Sequence, residues 1–502
     1  MKEFRNPPRK FSCVLTLFLL SALILNSCGG SAGTTDTTTA SGDGTTAPAE
    51  ASEPLDLPAK DWGGRQFRVL GYAAPTYTQF SNFEIDSDGE NGDVVNDAVY
   101  RRNTKIEDTY NVEIVQTLDS SDSNGASATT PVVRKLVLAG EDAYDLVFLP
   151  IKTCGTIARE GMLYDLNSVD YIDMNKSWWN QTAREDLTVN GKLFLTASDF
   201  SLRDKNRAYI LLHNRDMVNE FKLTPIIDLV RNGKWTIDTF NQYAMTVAND
   251  LNGNGEIDDQ DRFGVGLDSA EGFVSIVTGC DVSVLTNENG TPTLTINSER
   301  TINVIDKVLE VIARPEVAVM NTDWSGKVDY DFNAFSDKLF KEGRLLFFTS
   351  FPHSLKKYSA ECVDEYGIIP FPKYDEAQEN YTSLVNSYAM LFGIPSTTPE
   401  PEFAGFMLEA LSHASTDTVL EAYYEISCKT KYTYDADSAE MLDLIFDGLR
   451  FEPAVTYAIT GNTLLNNIGK SRVNTLTTDY ASMESAILAD IDKLIEDIDA
   501  IN

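Results

Sequence analysis

Tyr144-Asp-Leu-Val-Phe-Leu149 decides the fold class. From Leu146 on, the run is apolar without alternation, as in a strand covered on both faces of a parallel sheet. Upstream, Gln66-Phe-Arg-Val-Leu70 alternates like a strand and ends at Gly71. The folded part begins near Asp61-Trp-Gly-Gly-Arg65. Asn91-Gly-Asp93 leads into a predicted helix over Val94 to Asp108, with Val95, Ala98, Val99 and Ile106 at helical spacing. Tyr110 to Val115 reads as a second strand, and Pro131 to Leu138 as a helix closed by Gly140. Strand, helix, strand, helix, strand defines an α/β unit with a parallel sheet.

The alternation recurs downstream. Tyr209 to Leu212, Leu345 to Phe348, Tyr366 to Ile369 and Ala389 to Ile394 read as strands, and Asp216 to Phe221 as a helix. From Pro401 the pattern is mostly helical. Ile487, Leu488, Ile491, Leu494, Ile495 and Ile498 form an apolar stripe on a terminal helix, which packs onto the body. No internal repeat occurs, and no second long apolar segment, so the chain does not read as a channel or permease.

Ahead of the folded part, Lys2, Arg5, Arg9 and Lys10 precede an apolar run from Phe11 to Leu25. A basic start, an apolar middle and small residues at a junction are the pattern of a secretory signal. The run is short for a spanning helix, which takes roughly 20 residues. Leu25-Asn-Ser-Cys28 resembles a bacterial lipobox, which implies a signal peptide over 1–27 and lipidation of Cys28. Residues 28–58 then read as a flexible Ser/Thr/Gly leash with a mean reach of about 25–30 Å. The expected location is the outer face of a bacterial cytoplasmic membrane, by lipid anchor.

Of 502 residues, 42% are hydrophobic and 10% aromatic, enough for sizeable cores and for two or three domains. The formal net charge is −35, and the first 27 residues are themselves basic, so the rest is more acidic still. Such a surface repels phosphate backbones, and nucleic acid is excluded as a partner. Beyond Cys13 and Cys28, the cysteines Cys154, Cys280, Cys362 and Cys428 are far apart and lack CxxC spacing, against zinc or thiol-redox chemistry. They are compatible with disulfides or with free buried thiols. His213, His353 and His413 are the only histidines, too few for a multi-histidine metal centre. No serine elbow, HExxH or phosphate-cradling glycine loop is present.

One loop has metal-ligand spacing. In Asp250-Leu-Asn252-Gly-Asn254-Gly255-Glu256-Ile-Asp258-Asp-Gln-Asp261, oxygen side chains fall at loop positions 1, 3, 5, 9 and 12, with Gly255 at position 6. This is EF-hand-like spacing with Asp in place of the final Glu. It predicts a structural Ca²⁺ held by Asp250, Asn252, Asn254, Glu256, Asp258 and Asp261, and no catalytic cofactor. The plain alternative is an uncoordinated Asn/Gly turn.

Several stretches, taken in order, resemble extracellular solute-binding proteins of ABC transporters, in the group of sugar-binding lipoproteins. They are Gly92-Asp-Val-Val-Asn-Asp-Ala-Val-Tyr-Arg-Arg-Asn103, Ala139-Gly-Glu-Asp-Ala-Tyr-Asp-Leu-Val147, Ser177-Trp-Trp-Asn180 and Gly233-Lys-Trp-Thr-Ile-Asp238. Ala422-Tyr-Tyr-Glu425 and Asp437-Ser-Ala-Glu-Met-Leu-Asp443 complete the set. The resemblance implies a two-lobed α/β fold of the periplasmic-binding-protein type II kind, with the ligand cleft between the lobes. Lobe one would comprise 61–150 with 385–430, and lobe two 151–384 with 431–502. The crossings would fall near Pro150 and between Pro370 and Ser387. It further implies a monomeric receptor, not an enzyme, that captures a sugar or oligosaccharide by lobe closure and delivers it to ABC permease subunits.

Sugars present an apolar C–H face and a polar edge, so their sites pair flat rings with amides and carboxylates. On that basis the candidate ligand residues are Trp178, Trp179 and Asn180; Phe351 and His353; Ser387 and Tyr388; Tyr72; and Asp199. Each is also compatible with a place in a core or hinge. The rival functions are an exported glycoside hydrolase and a surface adhesin for glycan or peptide.

Overall fold

The computed structural model describes residues 53–74, 81–122, 125, 127–288, 290–324, 334–423 and 436–501. Cys28, the leash up to residue 52 and Cys428 lie outside them. From Ser52 on, the chain forms one compact unit. Its principal strands are β1 (Arg65–Tyr72), β2 (Val112–Asp119), β3 (Leu146–Pro150), β4 (Ile210–Asn214), β5 (Phe263–Leu267), β6 (Ala318–Met320), β7 (Leu345–Ser350), β8 (Tyr366–Ile369) and β9 (Met390–Gly393). They build two sheets, ordered β9-β3-β1-β2 and β8-β4-β7-β5-β6. In the first, β1 runs parallel to both β2 and β3, and β9 returns antiparallel to β3. In the second, β5 is parallel to β6 and β7, while β4 lies antiparallel between β7 and β8.

The burial of the strands follows their composition. Every residue of β3 is buried. Asp145, just ahead of it, is also buried and locks β3 to β1: its carboxylate accepts the Arg68 N–H at 2.8 Å and the guanidinium at 2.8 and 3.0 Å. Helix α1 (Val94–Tyr110) starts where Asp93 accepts the N–H groups of Val95 and Asn96. It ends at Asn111 in the left-handed region, φ 50°. Val95, Val99 and Ile106 face inward.

Past Pro150, where the first crossing is expected, the chain stays against the first sheet. Helix α2 (Ile151–Arg159) buries Ile151, Cys154, Gly155, Ile157 and Ala158 and packs against β3 and β9 of the first sheet. Further on, Leu163 bridges Pro395 and Thr196 bridges Phe392, so the chain still lies along β9. The chain next joins the second sheet at β4. The apolar stripe of α2 is the physical reason, since leaving at Pro150 would expose it. The return runs through Val385, which bridges Ala208, to β9. Helices α3 (Ile237–Val247) and α4 (Ala270–Gly279) flank the second sheet, α5 (Pro401–Ser415) packs on α1, and α6 (Ala436–Asp447) lies against β8. Helix α7 (Leu464–Ser471) packs on α4, and the terminal helix α8 (Leu476–Asp499) touches both α7 and α2. Its buried residues include Ile487, Ile491, Leu494 and Ile498, whereas Leu488 is 46% exposed.

Cys154, Cys280 and Cys362 are free thiols. Among the described residues no helix is long and apolar enough to cross a membrane.

Candidate functional site

In open α/β sheets, ligands sit beyond the carboxyl ends of the strands. In the second sheet those ends meet the two crossing segments, and there a polar cluster forms. Asp268 follows β5 directly. Its carboxylate accepts the Thr349 hydroxyl at 2.8 Å, the Tyr209 hydroxyl at 3.1 Å and the Ser269 hydroxyl at 3.1 Å. Ser269 caps α4, and one turn in, Gly272 makes the pairing possible: a Cβ there would lie 2.7 Å from the Asp268 carboxylate and 2.8 Å from the Thr349 hydroxyl. Glu271 accepts the Asn386 side-chain N–H at 2.9 Å and the Ser387 backbone N–H at 3.1 Å. Asn386 in turn accepts from Arg207 at 2.9 Å. One carboxylate therefore reads the outgoing crossing and the other the returning one.

An aromatic wall adjoins these acids. The half-buried Phe351 ring, just past β7, lies 4.4 Å from Tyr209 and stacks on His353 at 5.3 Å and 15° between planes. The Arg207 guanidinium sits 4.7 Å from the Phe351 centroid. His353 Nδ1 is 3.2 Å from the Asn206 carbonyl. Lys152 Nζ, at the start of α2, stands 5.4 Å from the Tyr388 ring. Burial raises the carboxyls of Asp268 and Glu271 above their usual range. Burial first, then the positive charge of Arg207, holds His353 well below the ordinary histidine value, so it is neutral at pH 7. Carboxylates, amides and a flat ring edged by a neutral imidazole can take hydroxyl groups and a C–H face together.

Four of the residues singled out in the sequence meet in this cluster: Phe351, His353, Ser387 and Tyr388. The others lie elsewhere. Trp178 and Trp179 are each 2% exposed. Trp178 packs edge-on against His413, and Trp179 donates its indole N–H to Glu409 at 3.0 Å. Asn180 caps the helix Gln181–Leu187 and donates to Asp204. Asp199 is 9% exposed, 3.4 Å from Lys205, and accepts from Thr416. Tyr72 is fully buried at the end of β1, its hydroxyl on the Asp122 carbonyl. Two indoles in tandem pack a core as readily as they line a cleft, and here both are core.

Trp179, Asn180 and Asp199 also border a groove of about 490 Å³ with Lys205, Asp443 and Phe446 of α6. It continues through Gln181 and Asp447 into a polar cavity of about 810 Å³ edged by Arg300, Tyr381 and Arg450. Its lining includes none of Asp268, Glu271, Phe351 and His353.

Glu409 supplies a test of burial. It is 3% exposed, and burial pushes its carboxyl up to about 7; Asp186, 7% exposed, is pushed up to about 6 for the same reason. Between the ordinary carboxyl value and these raised ones, the folded chain keeps protons that the unfolded chain has released. Stability therefore falls as pH rises through that window. His353 works the other way, but only below about pH 6.5. The melting temperature is expected to be higher at pH 6.5 than at pH 8. Glu409→Gln, which keeps an acceptor for Trp179, is expected to shrink that difference in a scanning-calorimetry series.

In the Asp250–Asp261 loop, Asp250 accepts the N–H groups of Gly253 (2.7 Å) and Gly255 (2.8 Å), and both glycines have positive φ. Asn252 and Asn254 donate their amide N–H groups to Asp258 at 2.9 and 2.7 Å. Among the described residues no group of three or more His, Cys, Asp or Glu side chains is placed to hold a metal ion.

No family model and no curated protein matches the sequence. Solved structures do match the fold. A sugar transporter protein from Rhizobium etli in an open conformation has a TM-score of 0.54 at 12% identity, over 87% of this chain and all of that one. A cyclo/maltodextrin-binding protein complexed with maltotetraose gives 0.52 at 15%, over 86% and 97%. An ABC substrate-binding protein from Listeria monocytogenes in complex with cycloalternan gives 0.51 at 14%, over 86% and 98%. The chain has the two-lobed α/β fold of periplasmic-binding-protein type.

Proposed function

We propose that the chain is a receptor that captures a neutral sugar or oligosaccharide between its lobes and passes it to an ABC permease. One observation carries the reading: the hydrogen-bonded acids Asp268 and Glu271 and the Phe351–His353 wall stand where the strand ends meet both crossings. A solute held there touches the hinge itself, so its contacts bias open against closed. The proteins of like fold were solved with cycloalternan and maltotetraose, in keeping with a sugar as solute. No bond is made or broken in this role. Asp268 and Glu271 serve as fixed acceptors rather than as an acid–base pair, and the receptor works as a monomer.

The same proposal includes export and anchoring. Lipidation of Cys28 would tether the receptor outside the cytoplasmic membrane, each buried acyl CH₂ contributing ~0.8 kcal/mol. The experiment is calorimetric titration with a panel of neutral mono- and oligosaccharides, together with a release assay. A receptor gives saturable binding and no product.

A further inference from the structure

We propose that the Asp250–Asp261 loop is a calcium site that fastens the start of β5, independent of the solute reading. Its backbone is already curled inward. Besides the two N–H groups that Asp250 takes, Asn252 accepts the Asn254 N–H at 2.9 Å and Asn254 accepts the Glu256 N–H at 2.7 Å. These are local turns, and alone they would describe any Asn/Gly loop. The independent observation is Asp261. It is 5% exposed, and one carboxylate oxygen accepts the Asp258 N–H at 3.1 Å, which sets the group against the loop. Its other oxygen, Oδ1, is buried and has no hydrogen-bond partner among the described residues.

A carboxylate oxygen out of water needs donors or a cation to offset its lost hydration. The loop carries further oxygens on Asp250, Asn252, Asn254 and Asp258 and the Glu256 carbonyl at loop position 7. That is an all-oxygen donor set of the number a hard divalent cation takes. The carboxylates of Asp250, Asp258 and Asp261 are not gathered round one point in this structure, and binding has to draw them together. Ca²⁺ accepts six to eight oxygens at about 2.3–2.6 Å in loose geometry, whereas Mg²⁺ demands a tight octahedron and keeps its waters. Binding requires the amides of Asn252 and Asn254 to turn their oxygens inward, so that the cation replaces their N–H groups as the partner of Asp258.

The loop is closed at its base by Asn249 and Arg262, which exchange backbone hydrogen bonds of 2.9 and 3.0 Å, and β5 begins at the next residue. Asp268 stands at the other end of β5. A cation in the loop therefore acts on the stability of the second sheet and leaves solute affinity unchanged.

The test uses the full chain, stripped with chelator, and CaCl₂ alone as the probe. At saturating calcium the melting temperature is expected to rise by about 2–5 °C, with a one-site heat of binding. MgCl₂ at the same concentration should give less than half that shift. Asp261→Asn and Asp250→Asn should abolish both signals. Asn254→Ala, at an exposed position, should weaken calcium binding at least fivefold in a chain that is folded by circular dichroism. No heat up to 5 mM calcium overturns the proposal. So does an equal shift in wild type and variants, which would mean general screening of an acidic surface.

Discussion

Phe351→Ala is expected to weaken binding of a neutral oligosaccharide by about 30-fold or more, equivalent to ~2 kcal/mol. The ring would be the flat face of the proposed site. It is held by Tyr209 behind it, Arg207 over it and His353 stacked beside it. In the proposed site its removal would delete the surface for a sugar's C–H face, while the carboxylates of Asp268 and Glu271 keep their partners. Phe351→Tyr keeps a flat face and should restore affinity to within threefold. Calorimetry at a temperature where both variants are folded separates this from instability. Full affinity in Phe351→Ala would move the site to the groove beside α6, where Phe446 and Asp443 would be the next residues to change.

The second large effect falls on stability. Gly155 lies in the middle of α2, and a Cβ there would stand 2.0 Å from the Thr456 carbonyl oxygen and 2.6 Å from the Tyr457 Cα. Both are backbone, so neither can swing aside. The close approach seats α2 against the short helix Pro453–Thr456 and leads into Tyr457, a fully buried residue whose hydroxyl donates to the Leu187 carbonyl. Gly155→Ala therefore forces the C-terminal segment off α2. Overpacking of this kind costs about 3 kcal/mol or more, beyond the small helix propensity that alanine adds. Thermal unfolding should show a melting temperature lower by several degrees. A variant melting within 1 °C of wild type would contradict the packing of α2.

Much of the first lobe was legible because its signals are local. The apolar run ending at Leu149 gave a buried strand, and Asp93 gave the start of α1. The crossing was not legible: Pro150 reads as a natural exit, and only the packing of Cys154, Ile157 and Ala158 under β3 and β9 shows the chain staying behind. The site divides in the same way. Phe351 and His353 follow a strong strand, and Ser387 and Tyr388 lie at the expected second crossing, so ring and polar side chains at those positions singled them out. Asp268 and Glu271 could not be chosen among 76 acidic residues. Their roles arise from partners 81 and 115 residues away, Thr349 and Asn386. A Ser-x-Glu start to an amphipathic helix directly after a buried strand was the one available hint. The tandem Trp178-Trp179 points both ways in sequence, and the partner that fixes Trp179, Glu409, lies 230 residues further on.

In the proposed function the cluster where the strand ends meet the crossings binds a neutral sugar without transforming it. Titration of the wild-type chain with maltotetraose and cyclic glucans, beside simple hexoses, tests it most directly. One-site binding by at least one of them is expected, lost in Phe351→Ala and recovered in Phe351→Tyr, with the sugar returned intact. Binding of equal strength in all three proteins, no binding by any sugar of the panel, or release of a shortened product would contradict it.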